Sequence, residues 1–389
     1  MTTPSPACQV CAEPALREII AFKKINRVTS DCKPWPAGGQ LFMCTACAMV
    51  QKQATFAWHE ETARIYDDYA LYPQGKGAEQ SVFDTMGQTT ASRSDAIISQ
   101  MAETISLAEN GSLLDIGCGN GAFLAAFARH HKGWQFHGSE LDARNLSALK
   151  KIPGFEKLHT GALSLIADKF DLISIIHALE HIENPHQFLA QVGQNLATPE
   201  SVIVIEVPDW GSNPFDLLIA DHLLHFAMPS LVILLGRAGL TTLSIANDWV
   251  TKEISLLARQ SPGDAHRQDR ATPDPERTRA ELEGQLRWLD HLLAKAKALC
   301  DSAANDIGIF GTSIAAAWLY GGIRQRVGFF VDEDPNRVGG SLFGLPILAP
   351  ADVPQGADVF VPLPNATANR VARRLGREEG PHYTVPEGI

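Results

Sequence analysis

The residues Leu-Leu-Asp-Ile-Gly-Cys-Gly-Asn-Gly-Ala-Phe at positions 113–123 decide the fold of this chain. An apolar strand over 112–116 is predicted to run into a turn that has glycine at three alternate positions, and a helix should follow from Ala122 to Arg129. Glycine lacks a Cβ, so a ligand can approach the backbone of such a turn and the amides that open the helix. The expected ligand-binding residues here are Asp115, Gly117, Gly119 and Gly121.

A second acidic marker follows at the end of the next predicted strand, Phe136–Glu140. A carboxylate about 20 residues after a glycine-rich turn can accept hydrogen bonds from both hydroxyls of a ribose. The glycine spacing differs from that of dinucleotide sites and resembles motif I of the class I S-adenosylmethionine methyltransferases. The resemblance implies that the turn holds the methionine part of the cofactor and that Glu140 holds the ribose. We also expect His177, past a later strand, on the cofactor side.

Length and composition bound the remaining possibilities. The chain has 389 residues, 45% of them hydrophobic, and a formal net charge of −11. This length predicts two or three domains, and the negative charge argues against a nucleic-acid partner. The apolar runs, such as Leu231–Leu235, are too short to cross a bilayer. Residues 1–10 have neither the basic start nor the apolar core of a signal peptide. We therefore expect a cytoplasmic protein with a small-molecule substrate.

Two Cys-x-x-Cys pairs lie near the start of the chain, Cys8 with Cys11 and Cys44 with Cys47. Each pair can place two thiolates on a tight turn, and two pairs complete a tetrahedral site for zinc. Disulfides are rare in cytosolic proteins, and no βαβ unit typical of a redox Cys-x-x-Cys surrounds either pair. We predict one structural zinc with four protein ligands, and Cys32 has no predicted role.

The order of predicted elements indicates an α/β protein. Strands at 112–116, Gln135–Ser139, Leu172–Ile176 and Val202–Val207 alternate with helices and predict a doubly wound sheet with ligands at its carboxyl edge. A late strand pair, Thr241–Asn247 and Glu253–Ala258, should complete the sheet. The predicted regions are a zinc-binding module at 1–65, a class I methyltransferase domain at 66–260, a linker and amphipathic helix at 261–305, and a smaller Rossmann-like α/β domain at 306–389.

The second half of the chain shows three further patterns. Residues 261–278 are polar and lack apolar periodicity, which predicts an exposed linker. Leucines at spacings of three and four from Leu282 to Leu299 predict one amphipathic helix that covers a sheet or a partner. The strand Asp306–Phe310 leads to a single glycine, Gly311, and the strand Val327–Val331 ends before Asp332. Because a dinucleotide turn usually has more glycines, we predict a Rossmann-like fold there without bound NAD.

Two stretches with histidines follow predicted strand ends, where an α/β sheet places its chemistry. His181 follows the third strand in a short helical turn, and an imidazole there suits general base catalysis. Asp221, His222 and His225 follow the next strand. A histidine between apolar neighbours is more often a core residue than a catalyst, so His222 and especially His225 are weaker candidates on that ground alone. Tyrosines at 66, 69 and 72 indicate either a packing segment between domains or a lid over the substrate.

The whole order of parts resembles one family, the bacterial deoxysugar C-methyltransferases. In these a zinc-binding N-terminal domain precedes the methyltransferase, and a Rossmann-like domain follows it. The resemblance spans nearly the whole chain. It rests on the four cysteines with the tail Cys47–Gln51, the stretch Asp68–Tyr72, the motif Leu114–Gly119, His181, and Phe215-Asp216 leading to Asp221-His222.

The family implies methylation of a 4-keto nucleotide sugar at the carbon next to the ketone. It implies that His181 is the base and that the pair Asp221-His222 faces the sugar. The reaction also needs a hydrogen-bond donor to the enolate, and Tyr69, Tyr72 and His222 are the candidates for it. Two positions depart from the family, which carries a tyrosine where this chain has Ile219 and His-Gly-Gly where it has residues 250–253.

Three other functions are compatible with the sequence. An O- or N-methyltransferase of another small metabolite needs positioning more than a strong base. A nucleic-acid methyltransferase would use the zinc module to grip its substrate, and the net charge disfavours it. A non-enzymatic scaffold would retain the fold, and the intact glycines and Glu140 speak against it.

Overall fold

The computed structural model describes residues 7–69, 79, 81–83, 89–261 and 273–388. It confirms the predicted α/β class, with a central sheet of mostly parallel strands and a second, smaller sheet of the same kind. Within the described ranges no helix has both the length and the apolar character that a membrane span requires.

The N-terminal region consists of short strands and one helix. Its elements are β1 (Leu16–Glu18), β2 (Arg27–Val28), β3 (Pro34–Trp35), β4 (Phe42–Cys44), β5 (Val50–Gln51) and α1 (Phe56–Asp67). Thr55 caps α1, because its side chain accepts a hydrogen bond from the amide of Trp58. The predicted boundary at residue 65 falls inside this helix.

The central region alternates strands and helices. Its elements are β6 (Ser81–Phe83), β7 (Thr89–Ser92), α2 (Arg93–Thr104), β8 (Asn110–Ile116), α3 (Ala122–His130), β9 (Gly133–Glu140), α4 (Leu146–Leu149), β10 (Phe155–Thr160), β11 (Leu172–Ile176), α5 (Pro185–Gln194), β12 (Val202–Pro208), β13 (Leu224–His225), α6 (Met228–Arg237), β14 (Leu240–Ala246) and β15 (Glu253–Gln260). Among the described residues the main sheet has the order β10-β9-β8-β11-β12-β15-β14, and β15 runs antiparallel to both of its neighbours.

One strand of this sheet was not predicted. β10 pairs in parallel with β9 at the sheet edge. Its sequence, Phe-Glu-Lys-Leu-His-Thr, lacks the strict apolar alternation of a half-buried strand. The strand β11 and the helix α5 match their predicted ranges within a residue.

The C-terminal region begins with a long helix. Its elements are α7 (Pro275–Ser302), β16 (Ile307–Phe310), α8 (Ile314–Ile323), β17 (Val327–Val331), β18 (Ser341–Leu342), β19 (Leu345–Leu348), β20 (Asp358–Phe360), α9 (Asn365–Leu375) and β21 (His382–Thr384). Because Asp274 caps α7 and Pro275 starts it, the last four residues of the predicted linker are helical instead. Thr312 donates a 2.6 Å hydrogen bond to Asp332 at the end of β17.

The apolar stripe of α7 joins the N- and C-terminal regions in one core. Leu282, Leu286 and Leu289 are almost fully buried there, beside Phe22 and Met43 of the N-terminal region. Each such leucine contributes about 1.5–3 kcal/mol by its burial. The expectation that this helix covers another part of the fold therefore holds.

Two contacts fix the loop that follows β12. Phe215 lies between two tryptophans, 5.7 Å from the ring of Trp288 in α7 and 5.9 Å from that of Trp318 in α8. Further on, β13 pairs with β5, so residues from the predicted methyltransferase domain complete the N-terminal sheet. The loop between residues 209 and 227 is thus held by all three regions.

Candidate active site

The glycine turn has the backbone that only glycine adopts easily. Gly117, Gly119 and Gly121 have φ values of 75°, 53° and 84°, in the left-handed region. The turn joins β8 to α3 as predicted, so the first amides of α3 open toward the carboxyl edge of the sheet.

Two of these glycines serve contacts within the protein. A Cβ on Gly117 would lie 2.8 Å from the Cβ of Ala178, and one on Gly121 would lie 2.6 Å from a methyl group of Ile152. Gly117 and Gly121 are therefore required for close packing as well, and the approach of a ligand to the backbone of this turn stays a prediction. The contact with Ala178 also places the loop after β11 beside the turn.

Glu140 meets the turn directly. One oxygen of its carboxylate accepts a 2.6 Å hydrogen bond from the amide of Gly119, and the other accepts a 3.0 Å bond from the amide of Leu141. An ionised carboxylate has about four acceptor positions, so it can accept further hydrogen bonds. Leu141 is 82% exposed beside it, which places an apolar side chain next to the predicted ribose position.

Asp115 faces inward. Its carboxylate is buried and accepts a 2.7 Å hydrogen bond from the hydroxyl of Ser174 on β11. Burial, the largest influence, raises the pKa of this carboxyl to about 7. The side chain expected among the ligand-binding residues thus ties two neighbouring strands together.

His177 lies among three carboxylates. Its Nδ1 is 3.3 Å from Glu180, and its Nε2 is 3.4 Å from Glu206 and 3.5 Å from Glu253. Burial and Arg93 would lower the pKa of His177, but the three carboxylates raise it well above the ordinary value. Its φ of 51° is rare for a side chain of this size. The imidazole is therefore expected to be cationic beside the glycine turn.

His181 occupies the short 3-10 turn Leu179–His181. Its Nδ1 lies 3.0 Å from the carbonyl oxygen of Asp221 and 3.1 Å from the hydroxyl of Tyr66. A carbonyl can only accept, so Nδ1 carries the proton and Nε2 carries the lone pair. Burial, with His222 beside it, lowers the pKa of His181, so this ring is neutral at pH 7.

The acid partner of His222 is Asp216 and not its sequence neighbour Asp221. The Nδ1 of His222 donates a 2.8 Å hydrogen bond to Asp216, whereas Asp221 accepts bonds from the amide and the hydroxyl of Ser30, at 2.9 and 2.5 Å. The rings of His181 and His222 are 4.7 Å apart and nearly perpendicular. Burial by itself would lower the pKa of His222, but the carboxylate of Asp216 raises it above the ordinary value.

His225 is a core residue, as its apolar neighbours in the sequence indicated, but it shares the carboxylate of Asp216 with His222. It is fully buried, and its Nδ1 donates a 2.7 Å hydrogen bond to the second oxygen of Asp216. Asp216 and Lys52, whose Nζ lies 3.1 Å from the Nε2 of His225, complete this histidine network and were not predicted as its members. His222 and His225 are three residues apart, as on one face of a helix, but Asp216 lies six residues before His222 and Lys52 lies in the N-terminal region, so no local pattern connects them to the histidines.

The tyrosine segment reaches this site in part. The hydroxyl of Ser30, which is bonded to Asp221, lies 3.3 Å from the phenol of Tyr69. The rings of Tyr66 and Tyr69 meet edge to face at 5.5 Å. Tyr72 lies outside the described residues, and so does the end of the predicted lid.

The four cysteines predicted to bind metal come together. The Sγ atoms of Cys8 and Cys47 are 3.6 Å apart, those of Cys11 and Cys44 are 3.5 Å apart, and all four lie within 4.8 Å of one another. Cys32 is not in this cluster.

Residues 89–245 match the family model described as a methyltransferase domain. The chain therefore carries a methyltransferase domain. This domain contains the glycine turn, Glu140 and all the histidines of the site. No curated protein matches the chain.

Solved structures similar to the chain are also methyltransferases by description. N,N-8-amino-8-demethyl-D-riboflavin dimethyltransferase RosA from Streptomyces davawensis is 18% identical over 42% of this chain and 54% of that chain, with a TM-score of 0.37. Mitomycin 7-O-methyltransferase MmcR is 19% identical over 43% and 54%, with the same TM-score. An S-adenosylmethionine-dependent methyltransferase from Clostridium acetobutylicum is 14% identical over 52% and 99%, also at 0.37. The match spans about half the length of the first two.

Proposed function

We propose that the chain transfers a methyl group from S-adenosylmethionine to a carbon atom next to the ketone of a 4-keto nucleotide sugar. One observation carries the carbon specificity. Two imidazoles lie side by side after β11 and β12, each with its Nδ1 proton held by an oxygen acceptor. This arrangement leaves both Nε2 lone pairs to accept a proton. The sugar substrate rests on the family resemblance of the sequence.

The chemistry explains why such a base is needed. S-adenosylmethionine supplies an electrophilic methyl group on a sulfonium, whose leaving group is a neutral thioether and needs no acid. The substrate carbon becomes a nucleophile only when its C–H proton moves to a base and the bonding electron pair enters the enolate. An imidazole that accepts this proton becomes imidazolium, and the buried carboxylate of Asp216 stabilises that charge on His222.

The choice between the two imidazoles has a pH signature. A general base must be neutral before it acts, so turnover rises with pH through the pKa of the base. The pKa of His181 is lowered and that of His222 is raised from the ordinary histidine value. His181 as the base predicts an acid limb with its midpoint below about 6.5, and His222 predicts one above it. Our prediction from the sequence was His181, and the orienting carboxylate favours His222.

The enolate oxygen needs a hydrogen-bond donor. Tyr69 fits this role because its phenol lies beside the Ser30–Asp221 contact that borders His181. Tyr72 remains a predicted donor. Two positions depart from the family pattern. Ile219, where the family has a tyrosine, is buried and carries no hydrogen-bond donor. Glu253, in the stretch where the family has His-Gly-Gly, places a carboxylate 3.5 Å from His177.

The proposed cofactor and metal sites pass simple tests of fit. For the cofactor, the glycine turn offers backbone amides as hydrogen-bond donors, and Glu140 offers a carboxylate as an acceptor for the ribose hydroxyls. For zinc, a tetrahedron with bonds of about 2.3 Å requires sulfur atoms roughly 3.8 Å apart. The Sγ separations of 3.5 and 3.6 Å agree with this requirement within a few tenths of an ångström. Zinc at Cys8, Cys11, Cys44 and Cys47 would brace the N-terminal sheet and supply no reactivity.

The decisive experiment incubates the protein with labelled S-adenosylmethionine and a panel of 4-keto nucleotide sugars, followed by mass spectrometry and NMR of the product. A new C–CH₃ bond supports the proposal, and a methyl ether or methylamine would replace it with an O- or N-methyltransferase.

The base is tested separately by exchange of the substrate α-hydrogen with solvent deuterium, without a methyl donor. His181→Asn and His222→Asn are compared across pH. The variant that lacks the base should retain cofactor affinity and lose turnover by about 10²–10⁴. Exchange at the wild-type rate in both variants would exclude both histidines as the base.

A further inference from the structure

Lys52 is a buried cation in contact with the histidine network. It follows β5 in the N-terminal region, and only 3% of it is exposed. Its Nζ lies 2.5 Å from the carbonyl oxygen of Ile219, 2.7 Å from that of His222, and 3.1 Å from the Nε2 of His225. An ammonium group has three donors and no acceptor, so these three acceptors suit the protonated lysine.

This contact decides where the proton of His225 lies. With Lys52 donating to Nε2, His225 keeps its proton on Nδ1 and donates it to Asp216 at 2.7 Å. The other oxygen of Asp216 accepts the Nδ1 proton of His222 at 2.8 Å. The donors thus converge on Asp216: Lys52 holds His225 as the donor to one carboxylate oxygen, and His222 donates to the other, which leaves the lone pair of His222 on Nε2.

We propose that Lys52 is a positioning residue that fixes the tautomer of His225 and, through Asp216, prepares His222 to accept the substrate proton. The inference rests on the proposed function for its catalytic consequence only. It makes a residue of the N-terminal region part of the acid–base chemistry of the methyltransferase domain.

The charges around Lys52 limit its ammonium form to about pH 7 and below, and above that pH the neutral amine still has hydrogens to donate to His225. Burial and the charge of Arg27 lower the pKa of Lys52 to about 7, against Asp216, Asp221 and Glu61, which raise it. Arg27 is itself paired with Glu61 through two hydrogen bonds of 2.7 Å. Burial and then Lys52 lower the pKa of His225 to about 4. Lys52 therefore prevents His225 from becoming a cation that would neutralise Asp216 in place of His222.

A purely structural role for Lys52 is the competing explanation. Its backbone amide donates a 2.8 Å hydrogen bond to Leu223, and its ammonium anchors two carbonyls of the loop. Such a role would affect folding and loop order without changing where His225 holds its proton. The ring nitrogens of the histidines therefore provide the distinguishing measurement.

The experiment labels histidine with ¹⁵N and records ring nitrogen resonances against pH, with assignments from His222→Asn and His225→Asn. In the wild-type protein we expect His225 to be neutral with its proton on Nδ1 throughout the titration, and His222 to reach the same form once the pH exceeds its raised pKa. In Lys52→Met we expect His225 to gain a second proton on Nε2, facing the carbonyl oxygens that Lys52 leaves. Turnover should fall by about 10- to 100-fold, as for other outer partners of a reactive group, and cofactor binding should persist.

Lys24→Met is the matched control, because Lys24 is exposed in the same N-terminal region. A wild-type spectrum with the His225 proton on Nε2 would overturn the proposal, even if Lys52→Met fails to fold. Unchanged His225 resonances with turnover within about twofold in Lys52→Met would also overturn it. Because the spectra need no substrate, failure of every sugar in the panel refutes the proposed function and leaves this test intact.

Discussion

Replacing Asp216 by Asn tests the core of the acid–base assignment. The buried carboxylate accepts one imidazole proton on each oxygen, at 2.8 and 2.7 Å. Asparagine keeps one acceptor oxygen and places an NH₂ group against the other imidazole, whose Nδ1 must then lose its proton. Because Lys52 donates to the Nε2 of His225, the ring that should face the NH₂ group is His222. Its proton then moves to Nε2, the nitrogen that should accept the substrate proton.

The structure gives different magnitudes for stability and for turnover. Each hydrogen bond to a buried charge contributes roughly 1.5–3 kcal/mol, and Asp216→Asn loses one of two, so we expect the free energy of unfolding to fall by about that amount. An Asp-to-Asn change that reverses a catalytic imidazole costs about 10⁴ in turnover, or about 5.5 kcal/mol of activation free energy. We therefore expect the activation free energy of turnover to rise by more than the free energy of unfolding falls.

The effect on stability also has a direction with pH. Burial would raise the pKa of Asp216, but His225 and His222 hold it well below the ordinary value. A carboxyl with a lowered folded-state pKa stabilises the fold above its unfolded pKa of about 4, and this stabilisation is lost as the pH falls further. Asp216→Asn should therefore unfold with a weaker pH dependence below pH 4 than the wild type.

The assay combines chemical denaturation, calorimetry of S-adenosylmethionine binding and deuterium exchange into the substrate. Asp221→Asn is the informative comparison, because His181 is held by the backbone carbonyl of Asp221 and keeps that bond in the variant. Asp290→Asn on the exposed face of α7 controls for the chemical change itself. Exchange in Asp216→Asn within tenfold of wild type, or a greater loss in Asp221→Asn, would refute the reasoning.

Two further predictions concern the cofactor and the metal. Glu140→Ala should weaken S-adenosylmethionine binding by about 1.5–3 kcal/mol in titration calorimetry, because a charged acceptor for the ribose is lost; wild-type affinity would remove Glu140 from the site. Cys44→Ser should lower both zinc content and thermal stability, because metal binding is coupled to the folding of such small modules. Elemental analysis that finds no zinc in wild-type protein purified without chelator would contradict the metal assignment.

The strand, turn and helix at residues 112–130 could be predicted because every determinant is local. The strand is apolar, the glycines mark the turn, and the helix begins directly after them. Glu140 followed from a spacing that any βαβ unit imposes. The four cysteines could be grouped because two Cys-x-x-Cys pairs supply the four thiolates of a tetrahedral metal site.

The acid–base network could not be predicted in the same way. The partner of His222 depends on how the loop after β12 folds back, and Phe215 between two distant tryptophans directs that loop. The hydrogen bond from Lys52 depends on the pairing of β5 with β13, across more than 170 residues of sequence. Sequence adjacency suggested Asp221 for His222, but tertiary contacts place Asp216 there.

The loop between residues 209 and 227 has a consequence for how the protein unfolds. Its carboxylate and imidazoles hold their geometry only while the N-terminal sheet, the central sheet and the helices α7 and α8 are all in place. Proton abstraction should therefore be a property of the complete molecule, lost in one cooperative step. Under the proposed function, loss of any one of these regions would therefore remove the base, even where the glycine turn itself stays folded.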